Sequence, residues 1–290
     1  MHNPLEIKIS DFDYPLKEEN IAKYPLKQRD NAKLLCLNFD KEIEEYHFSD
    51  IANLLDSDTF LILNDTKVVY ARLLFQKESG SIIEIFCLEP LDKDIQLAYA
   101  QKGSCVWKCL VGNNKKWKQE TISSSFINDS KQLTLTAKRL CQENETWIVE
   151  FSWDNEDLSF AEVLQYMGHV PLPPYLKRKD EESDKQDYQT IYAHQEGSVA
   201  APTAGLHFSE NTFKQLADKG VKTCFVTLHV GLGTFLPVRE DNIENHKMHE
   251  EWYSISVETA TSLYFVSVVI IATRASSWPS FERPSANSST

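Results

Sequence analysis

Two stretches of the sequence each combine a histidine with glycines and almost no charge. GSVAAPTAGLHF, residues 197–208, ends near His207, and TLHVGLGTF, residues 227–235, contains His229. An imidazole can accept or donate a proton near neutral pH, and glycines allow a ligand to approach the backbone closely. We therefore predict that His207 and His229 line a binding pocket. A buried turn and a hydrogen-bonded structural histidine remain open as alternatives.

Two further stretches carry polar side chains that suit a site. Asn64, Asp65 and Thr66 follow the apolar run TFLIL, where their polar atoms are candidates for ligand contact, although Asn-Asp-Thr is also a common turn. In HKMHEE, His246 and His249 are one helical turn apart. Together with His207 or His229 they could form a metal site with three protein ligands and one open position, as in a metal-dependent hydrolase. The same segment is also typical of a polar helix face that is exposed to solvent.

A dinucleotide-binding loop is excluded by the residues after the GLG of TLHVGLGTF. A Rossmann fingerprint needs a third small residue at position 236 and a helix that follows it. Position 236 is leucine and position 237 is proline. The six cysteines lack paired metal-ligand spacing, so we predict that they are reduced packing residues.

The secondary structure that the sequence predicts around these residues changes along the chain. From about residue 68 to 153, short β-branched and aromatic runs alternate with turn-like segments, which predicts a small barrel or sandwich. Before and after this segment, helical and strand patterns are mixed; SENTFKQLADKG predicts a helix with Ser209 as N-cap and Gly220 just past its end. The sequence therefore predicts an α+β protein in which an all-β barrel domain is inserted into a mixed α/β barrel-like domain.

Charge and composition restrict the class of protein. The chain has 290 residues and a formal net charge of −13, which argues against a generally cationic nucleic-acid-binding protein but allows a local basic patch. The N-terminal residues lack the order of a signal peptide, and no apolar run approaches the length of a membrane span. We expect a cytoplasmic protein that does not associate with membranes.

Several long blocks together resemble one family. YPLKQRDNAKLL, LILNDTKVVYARL, PLPPYLKR, YQTIYAHQEGSVAAPTAGLHF, TLHVGLGTFLPV and HKMHEEWYSIS are similar, in order and spacing, to the S-adenosylmethionine:tRNA ribosyltransferase-isomerases of queuosine biosynthesis. The resemblance implies a two-domain fold and S-adenosylmethionine as the ribosyl donor. It also implies transfer to the aminomethyl group of a 7-deazaguanine in the tRNA anticodon, which gives epoxyqueuosine, adenine and methionine.

This reaction needs a base, a proton donor for adenine and partners for the ribose, but no metal or other cofactor. We expect a monomer whose substrates are S-adenosylmethionine and tRNA. The candidate catalytic residues are His207, His229, His249 and Asp65. The candidate substrate-binding residues are Asn64, Thr66, Ser198, Thr203, Gly205, Gly231, Gly233, Thr234 and Glu251.

Local lysine clusters are the candidates for contact with the tRNA backbone. They lie in the β segment, with Trp107 and Trp117 nearby as candidates for base stacking, and after the PLPP turn. The candidate tRNA-binding residues are Lys115, Lys116, Lys118, Lys177 and Arg178. A solvated charged face is the other interpretation, and the alternatives to the transferase are a metal-dependent hydrolase and an inactive remnant that only binds tRNA.

The C-terminal residues depart from the family pattern. The segment YFVSVVIIATRASSWPSFERPSANSST follows ETATSL, where the resemblance predicts a helix, a G-T-T-S-x-R-like segment and further core elements. We expect domains at 1–67 with 154–263 and at 68–153, and a disordered tail at 264–290. An altered reading frame near Leu263 is one explanation, and it predicts an aggregation-prone product.

Overall fold

The structure is a computed structural model that describes residues 8–37, 40–91, 94–128, 131–231, 240–241, 250–264 and 269–272. Its two main parts are a curled antiparallel sheet and a smaller sheet with parallel strands. No helix in these residues is both long enough and apolar enough to cross a membrane.

The curled sheet has the strand order β11-β5-β6-β7-β10-β9-β8. Its strands are β5 (Arg72–Gln76), β6 (Ile82–Pro90), β7 (Ser104–Gly112), β8 (Thr121–Asn128), β9 (Lys131–Glu143), β10 (Thr146–Trp153) and β11 (Gly168–His169). All of the pairings are antiparallel, and β8 contacts β5 across the open side. The sheet is thus a curled half-barrel, and a closed barrel is not established by these pairings.

Alternating side chains fill the inside of this sheet. Strand β7 shows the pattern, because Cys105, Trp107 and Cys109 are buried while the residues between them are partly exposed. Helix α3 (Phe160–Met167) packs Phe160 against Trp107 and Phe151, which closes one end of the core. A single continuous apolar cluster therefore supports the whole sheet.

The smaller sheet has the order β14-β13-β3-β15. Its strands are β3 (Phe60–Asn64), β13 (Lys222–Leu228), β14 (Tyr253–Ser254) and β15 (Val269–Ala272). Strand β3 is buried at every position and pairs in parallel with both β13 and β15. The run FLILN has the continuous apolar character expected of a central parallel strand.

Short elements connect the two sheets and cover the smaller one. Strand β4 (Thr66–Val68) continues from β3 and pairs in parallel with β12 (Gln195–Ser198), so two distant segments meet beside the end of β3. Strands β1 (Lys33–Leu37) and β2 (Ile43–His47) form a hairpin, followed by helix α1 (Ile51–Leu54). Helix α6 is Val257–Tyr264.

Helix α5 (Glu210–Lys219) shows how local sequence sets the bounds of an element. The Ser209 hydroxyl accepts a hydrogen bond from the Thr212 amide at 3.1 Å. Gly220 ends the helix at φ +89°, a left-handed conformation that suits glycine. The buried Leu216 packs in a cluster with Leu61 and Leu63 of β3.

Two sequence-based assignments in the β segment were incomplete. The run IQLAYA, one of the short runs that the pattern of residues 68–153 predicts as strands, instead contains helix α2 (Ile95–Tyr99). The Asp94 carboxylate accepts the Gln96 amide at 2.9 Å as its N-cap. Strand β8 was not predicted, since its serines and threonines give a weak apolar alternation. Residues 68–153 therefore contain a helix as well as strands.

Candidate active site

The carboxyl ends of β3 and β13 are joined by one side-chain amide. Asn64 is fully buried, and its Nδ2 donates to the Leu228 carbonyl at 2.9 Å. Its Oδ1 accepts the amides of Leu228 at 3.0 Å and Thr66 at 3.1 Å. Asn64 thus replaces the backbone pairing that is lost where the two strands end, and it fixes the residues that follow each strand.

The residues that follow are Thr66 and His229, which form a buried pair. Thr66 Oγ1 lies 2.7 Å from His229 Nδ1, at hydrogen-bond distance. Thr66 is fully buried and His229 retains only 5% exposure. Asn64 holds the Thr66 amide and the backbone of Leu228, the residue before His229, so the imidazole has a defined position at the strand ends.

The imidazole ring is packed between a glycine and an indole. A methyl group at Gly197, whose φ is +152°, would come within 2.4 Å of His229 Nε2, so only glycine leaves room for the ring. On the other side, Trp252 stacks on His229 with ring centroids 4.7 Å apart and an interplanar angle of 17°. The His229 amide also donates to the Trp252 carbonyl at 2.9 Å, which fixes this arrangement.

Burial keeps this imidazole neutral. Removal from water lowers the pKa of His229 to about 4, and Asp94 opposes the shift only in part. The Nε2 atom is buried and has no hydrogen-bond partner among the described residues. His229 is therefore an uncharged imidazole whose Nε2 makes no hydrogen bond in the described part of the chain.

Ser198 joins the same strand ends from β12. Its Oγ accepts the Val230 amide at 2.9 Å and donates to the Ala200 carbonyl at 2.7 Å, so the hydroxyl is fully used in the described structure. Val199 also donates to the Val230 carbonyl at 3.1 Å. The glycine-containing blocks around His207 and His229 therefore meet through the Ser198 end of the first block.

Asp65 follows β3 directly, and its contacts lie on a different side of the ends of β3 and β13 from those of the His229 imidazole. The Thr227 hydroxyl donates to Asp65 Oδ1 at 2.7 Å. The Asp65 carbonyl accepts the His194 and Gln195 amides at 2.7 and 3.2 Å. Asp65 and Thr227 line a cavity of about 650 Å³ beside β13 and α6, so a polar pair opens onto the second face of the same strand ends.

A smaller cavity, of about 350 Å³, lies between His229 and the outer face of β6 and β7. Gly197, His229, Gly231 and Trp252 line it from the strand ends. Its charged lining among the described residues is Glu89, Lys108, Glu145, Glu250 and Glu251. Acidic groups exceed basic ones in this lining, so the cavity attracts a cation.

Glu251 is held close to the strand end by the backbone. Its Oε1 accepts the Gly231 amide at 3.1 Å. This bond connects the HKMHEE block to the TLHVGLGTF block at the rim of the cavity. The two blocks that the sequence singled out separately therefore belong to one site.

Comparison with known proteins identifies the family. A profile described as queuosine biosynthesis protein matches residues 9–268. The chain belongs to this family. The resemblance inferred from the sequence blocks is therefore confirmed.

Two curated family members are named S-adenosylmethionine:tRNA ribosyltransferase-isomerase. The protein from Sulfurihydrogenibium sp. is 42% identical over 255 residues, covering 87% of this chain and 70% of its own length. The protein from Trichlorobacter lovleyi is 38% identical over 256 residues, covering 88% of this chain and 70% of its own length. These names describe a transferase and isomerase of queuosine biosynthesis.

A solved structure of S-adenosylmethionine tRNA ribosyltransferase from Thermotoga maritima is also similar. The identity is 26%, and the match covers 88% of this chain but 64% of the solved chain, with a TM-score of 0.33. The chain thus spans less than two thirds of that protein.

Some of the residues proposed for the family's chemistry lie away from His229. His207 Nδ1 donates to the Arg29 carbonyl at 3.3 Å, and its ring lies 5.5 Å from that of Phe48. Thr203 and Gly205 belong to the same short 3-10 helix, in which Gly205 lies directly under the Tyr192 hydroxyl. No described contact joins this helix to the His229 pair, and a shared pocket with His207 stays a prediction.

Other candidate residues cannot be placed. His249, Gly233 and Thr234 lie outside the described residues, and so does His246 of the alternative metal site. Within the part of the chain that the structure describes, no group of three or more histidine, cysteine, aspartate or glutamate side chains is arranged to hold a metal.

The candidate tRNA-binding residues differ in their surroundings. Lys115, Lys116 and Lys118 are exposed in the loop after β7. Lys177 is exposed and pairs with Glu18 at 3.2 Å. Arg178 instead makes a two-pronged ion pair with the buried Asp184 at 2.6 and 2.7 Å. Its guanidinium is thereby occupied, so the three loop lysines are the better candidates.

The two tryptophans considered for base stacking are buried. Trp107 belongs to the core of the curled sheet, and Trp117 lies under the Arg139 guanidinium at 4.7 Å. Neither indole can reach a tRNA base in this structure, because the core needs apolar volume at both positions. The stacking prediction for these residues is therefore wrong.

Sequence reasoning missed Trp252 and Gly197 as parts of the site. Trp252 follows HKMHEE directly, and an aromatic residue beside an acidic histidine-containing block was a usable signal. The need for glycine at 197 follows only from its contact with His229, which lies 32 residues further along the chain and becomes a neighbour through the fold.

Proposed function

We propose that this chain transfers and isomerises the ribosyl group of S-adenosylmethionine onto the 7-aminomethyl-7-deazaguanine base of tRNA. The products are epoxyqueuosine in the tRNA, adenine and methionine. Membership of the family supports this reaction class. The structural observation that carries it is the acidic cavity beside the buried Thr66–His229 pair.

The charge of this cavity suits the donor. S-adenosylmethionine carries a fixed positive charge on sulfur, and the acceptor is an aminomethyl group that is cationic in water. Glu145, Glu250 and Glu251 face this cavity together with the Glu89–Lys108 pair. Together these carboxylates give the cavity a negative potential that favours a cationic ligand.

Proton transfer is the part we assign to His229. The sulfonium makes the neighbouring C5′ protons of the ribose acidic, and departing adenine needs a proton. The imidazole is neutral at pH 7, and its Nε2 has no hydrogen-bond partner among the described residues, so this nitrogen can accept a proton. Burial makes it a weaker base than a free imidazole.

The remaining assignments extend this proposal around the strand ends. Asp65 serves as a second acid–base group, while Asn64, Thr66, Ser198, Gly231 and Glu251 shape the substrate site. His207, His249, Thr203, Gly205, Gly233 and Thr234 stay candidates from the sequence. No metal or resident cofactor enters the reaction.

Release of adenine tests the proposed function directly. Incubation with S-adenosylmethionine and tRNA that carries 7-aminomethyl-7-deazaguanine should give one adenine per modified tRNA, measured by chromatography. The same tRNA with guanine at that position should give none. Absence of adenine with the modified tRNA, from a folded protein, would contradict the proposal.

His229 variants connect the reaction to this site. His229→Gln keeps a polar side chain but has no proton-accepting nitrogen, so adenine release should fall at least 100-fold. The urea midpoint at pH 7 separates loss of chemistry from loss of fold. Full adenine release in a folded His229→Gln variant would remove this residue from catalysis.

We also propose finer features of architecture and partners. Residues 68–153 form an inserted barrel domain within the discontinuous domain 1–67 and 154–263. Lys115, Lys116 and Lys118 face tRNA, while Lys177 and Arg178 are weaker candidates because both are already paired. The protein acts as a cytoplasmic monomer. Limited proteolysis and sedimentation of the purified chain test the domain boundaries and the monomeric state.

A further inference from the structure

Trp252 has an unusual position at the rim of the acidic cavity. One face of its indole covers the His229 imidazole at 4.7 Å, yet 46% of the residue is exposed. Its backbone is fixed, because its carbonyl accepts the His229 amide and β14 begins at the next residue. The ring is therefore held firmly while much of its surface faces solvent.

The exposed face of the ring is available to a ligand in the cavity. An indole is a large apolar surface, and its second face offers a flat π system for stacking. Trp252 lines the cavity of about 350 Å³ together with His229 and Gly231. A pocket of this size accepts a small organic ligand such as a nucleoside.

We propose that the outer face of Trp252 is the stacking surface for the adenine ring of S-adenosylmethionine. This inference rests on the proposed function and assigns one part of the donor to one side chain. The sulfonium and ribose then extend along the cavity towards Glu145 and the Glu89–Lys108 pair. Adenine, which leaves in the reaction, is placed at the open rim, where it can be released.

The surroundings of Trp252 support a neutral purine at this point and a cation deeper in the cavity. The imidazole behind the indole is uncharged at pH 7, so it does not repel a cationic ligand. Glu251 is drawn towards the Gly231 amide and stays beside the ring. Base stacking on an aromatic side chain is tolerant of base identity, so the charge pattern must provide the selectivity.

Binding experiments with three ligands distinguish which part of S-adenosylmethionine contacts Trp252. S-adenosylmethionine contains adenine and the sulfonium, adenosine contains only the base and the sugar, and S-methylmethionine is a sulfonium amino acid without adenine. Calorimetric titration of the purified chain at pH 7 measures the dissociation constant of each. Trp252→Leu should weaken S-adenosylmethionine and adenosine about tenfold and leave S-methylmethionine unchanged.

Two further variants keep the experiment interpretable. Trp252→Phe retains an aromatic ring and should recover most of the affinity for the two adenine-containing ligands. Tyr253→Leu is the matched control, because Tyr253 is the next residue, is 64% exposed and is not among the described residues that line the cavity. Its affinities should equal those of the unaltered chain.

The outcomes distinguish this inference from the proposed function. If the unaltered chain binds S-adenosylmethionine and Trp252→Leu binds it equally well, the stacking surface is overturned and the proposed function stands. If Trp252→Leu weakens only an RNA hairpin that carries the modified base, the indole stacks on the acceptor and the adenine assignment is wrong. If the unaltered chain binds neither adenine-containing ligand, both proposals fail.

Discussion

The curled sheet and the smaller sheet differ in how their strands find one another. In the curled sheet, β5 to β7 and β8 to β10 pair mainly with strands that are neighbours in the chain. In the smaller sheet, β3 pairs with β13 and β15, which lie more than 150 residues later. One region is held by local hairpins, whereas the other depends on distant segments.

The two regions also bury different kinds of side chain. Inside the curled sheet the buried side chains are almost entirely apolar or aromatic. At the ends of β3 and β13, Asn64, Thr66, Ser198, Thr227 and His229 are buried and polar. The candidate site therefore lies where distant segments meet, and the curled sheet supplies one wall of its cavity.

The largest effect is expected for the apolar core. Phe151 is fully buried in β10 and packs on Phe160 at 5.5 Å between ring centroids. Phe151→Ala should lower the free energy of unfolding by about 4 kcal/mol, because a large cavity replaces the ring. Urea unfolding measures this change, and a loss below about 1 kcal/mol would show that the curled sheet does not depend on its core.

A somewhat smaller effect is expected for the polar contact between the strands. Asn64→Ala leaves the Leu228 amide and carbonyl and the Thr66 amide without their partner, which should cost about 3 kcal/mol. Ser123→Ala, which removes an exposed hydroxyl contact of 2.9 Å to Thr136, is the control and should cost under about 0.5 kcal/mol. Equal urea midpoints for Asn64→Ala and Ser123→Ala would show that the buried polar contact of the smaller sheet contributes no more to stability than an exposed contact of the curled sheet.

His229 gives the end of β13 in the smaller sheet a pH dependence of its own. Its pKa is about 4 in the folded chain and near 6.5 when unfolded, so between these values the unfolded state binds more protons. Stability contributed by the neutral imidazole is complete above pH 6.5 and is lost as the pH falls towards 4. From pH 7 to pH 5, the loss should be about 2 kcal/mol.

The His229→Gln variant separates the pH dependence of stability that is due to His229 from that of the other titratable groups. The difference in unfolding free energy between the chain and this variant should shrink as the pH falls from 7 to 5. Nuclear magnetic resonance of the imidazole should show that it stays neutral at pH 5. An imidazole that titrates near 6.5 in the folded chain would contradict the buried, unprotonated state.

The smallest effect on stability is expected at the loop after β7. Replacing Lys115, Lys116 and Lys118 by alanine should change the unfolding free energy by less than about 0.5 kcal/mol, since all three are exposed. If these lysines contact tRNA phosphates, the variant should bind tRNA more weakly and with a shallower salt dependence. Lys138→Ala, which breaks an exposed pair with Glu120, is the control on the same sheet.

The local features of the fold were predictable to a large extent. The N-cap at Ser209, the glycine after α5 and the buried strand β3 follow from residue types within a few positions. Helix α2 was not recognised, because the N-cap at Asp94 favours a helix in a run whose apolar residues suggest a strand. Strand β8 was not recognised, because a serine-rich strand shows little apolar alternation. Local capping and composition decide such cases before the tertiary structure is known.

The site was predictable only as separate pieces. His229, Thr66 and Ser198 were singled out from three different blocks, and the structure brings these three blocks together. The stacking of Trp252 on His229 and the space provided by Gly197 depend on how distant segments are packed. No pattern in one segment contains that information, so these two residues required the structure.

The distance along the chain between β3 and β13 also has a consequence for synthesis. The Asn64 hydrogen bonds join residues 164 positions apart, and a ribosome adds about 5–20 residues per second. Strand β3 would therefore wait about 8 to 33 s before β13 exists to pair with it. During this interval its apolar residues are exposed, while the hairpins of the curled sheet are already able to fold. Slow translation between these strands would lengthen that exposure, so this nascent chain is a natural client for chaperones that bind extended apolar segments.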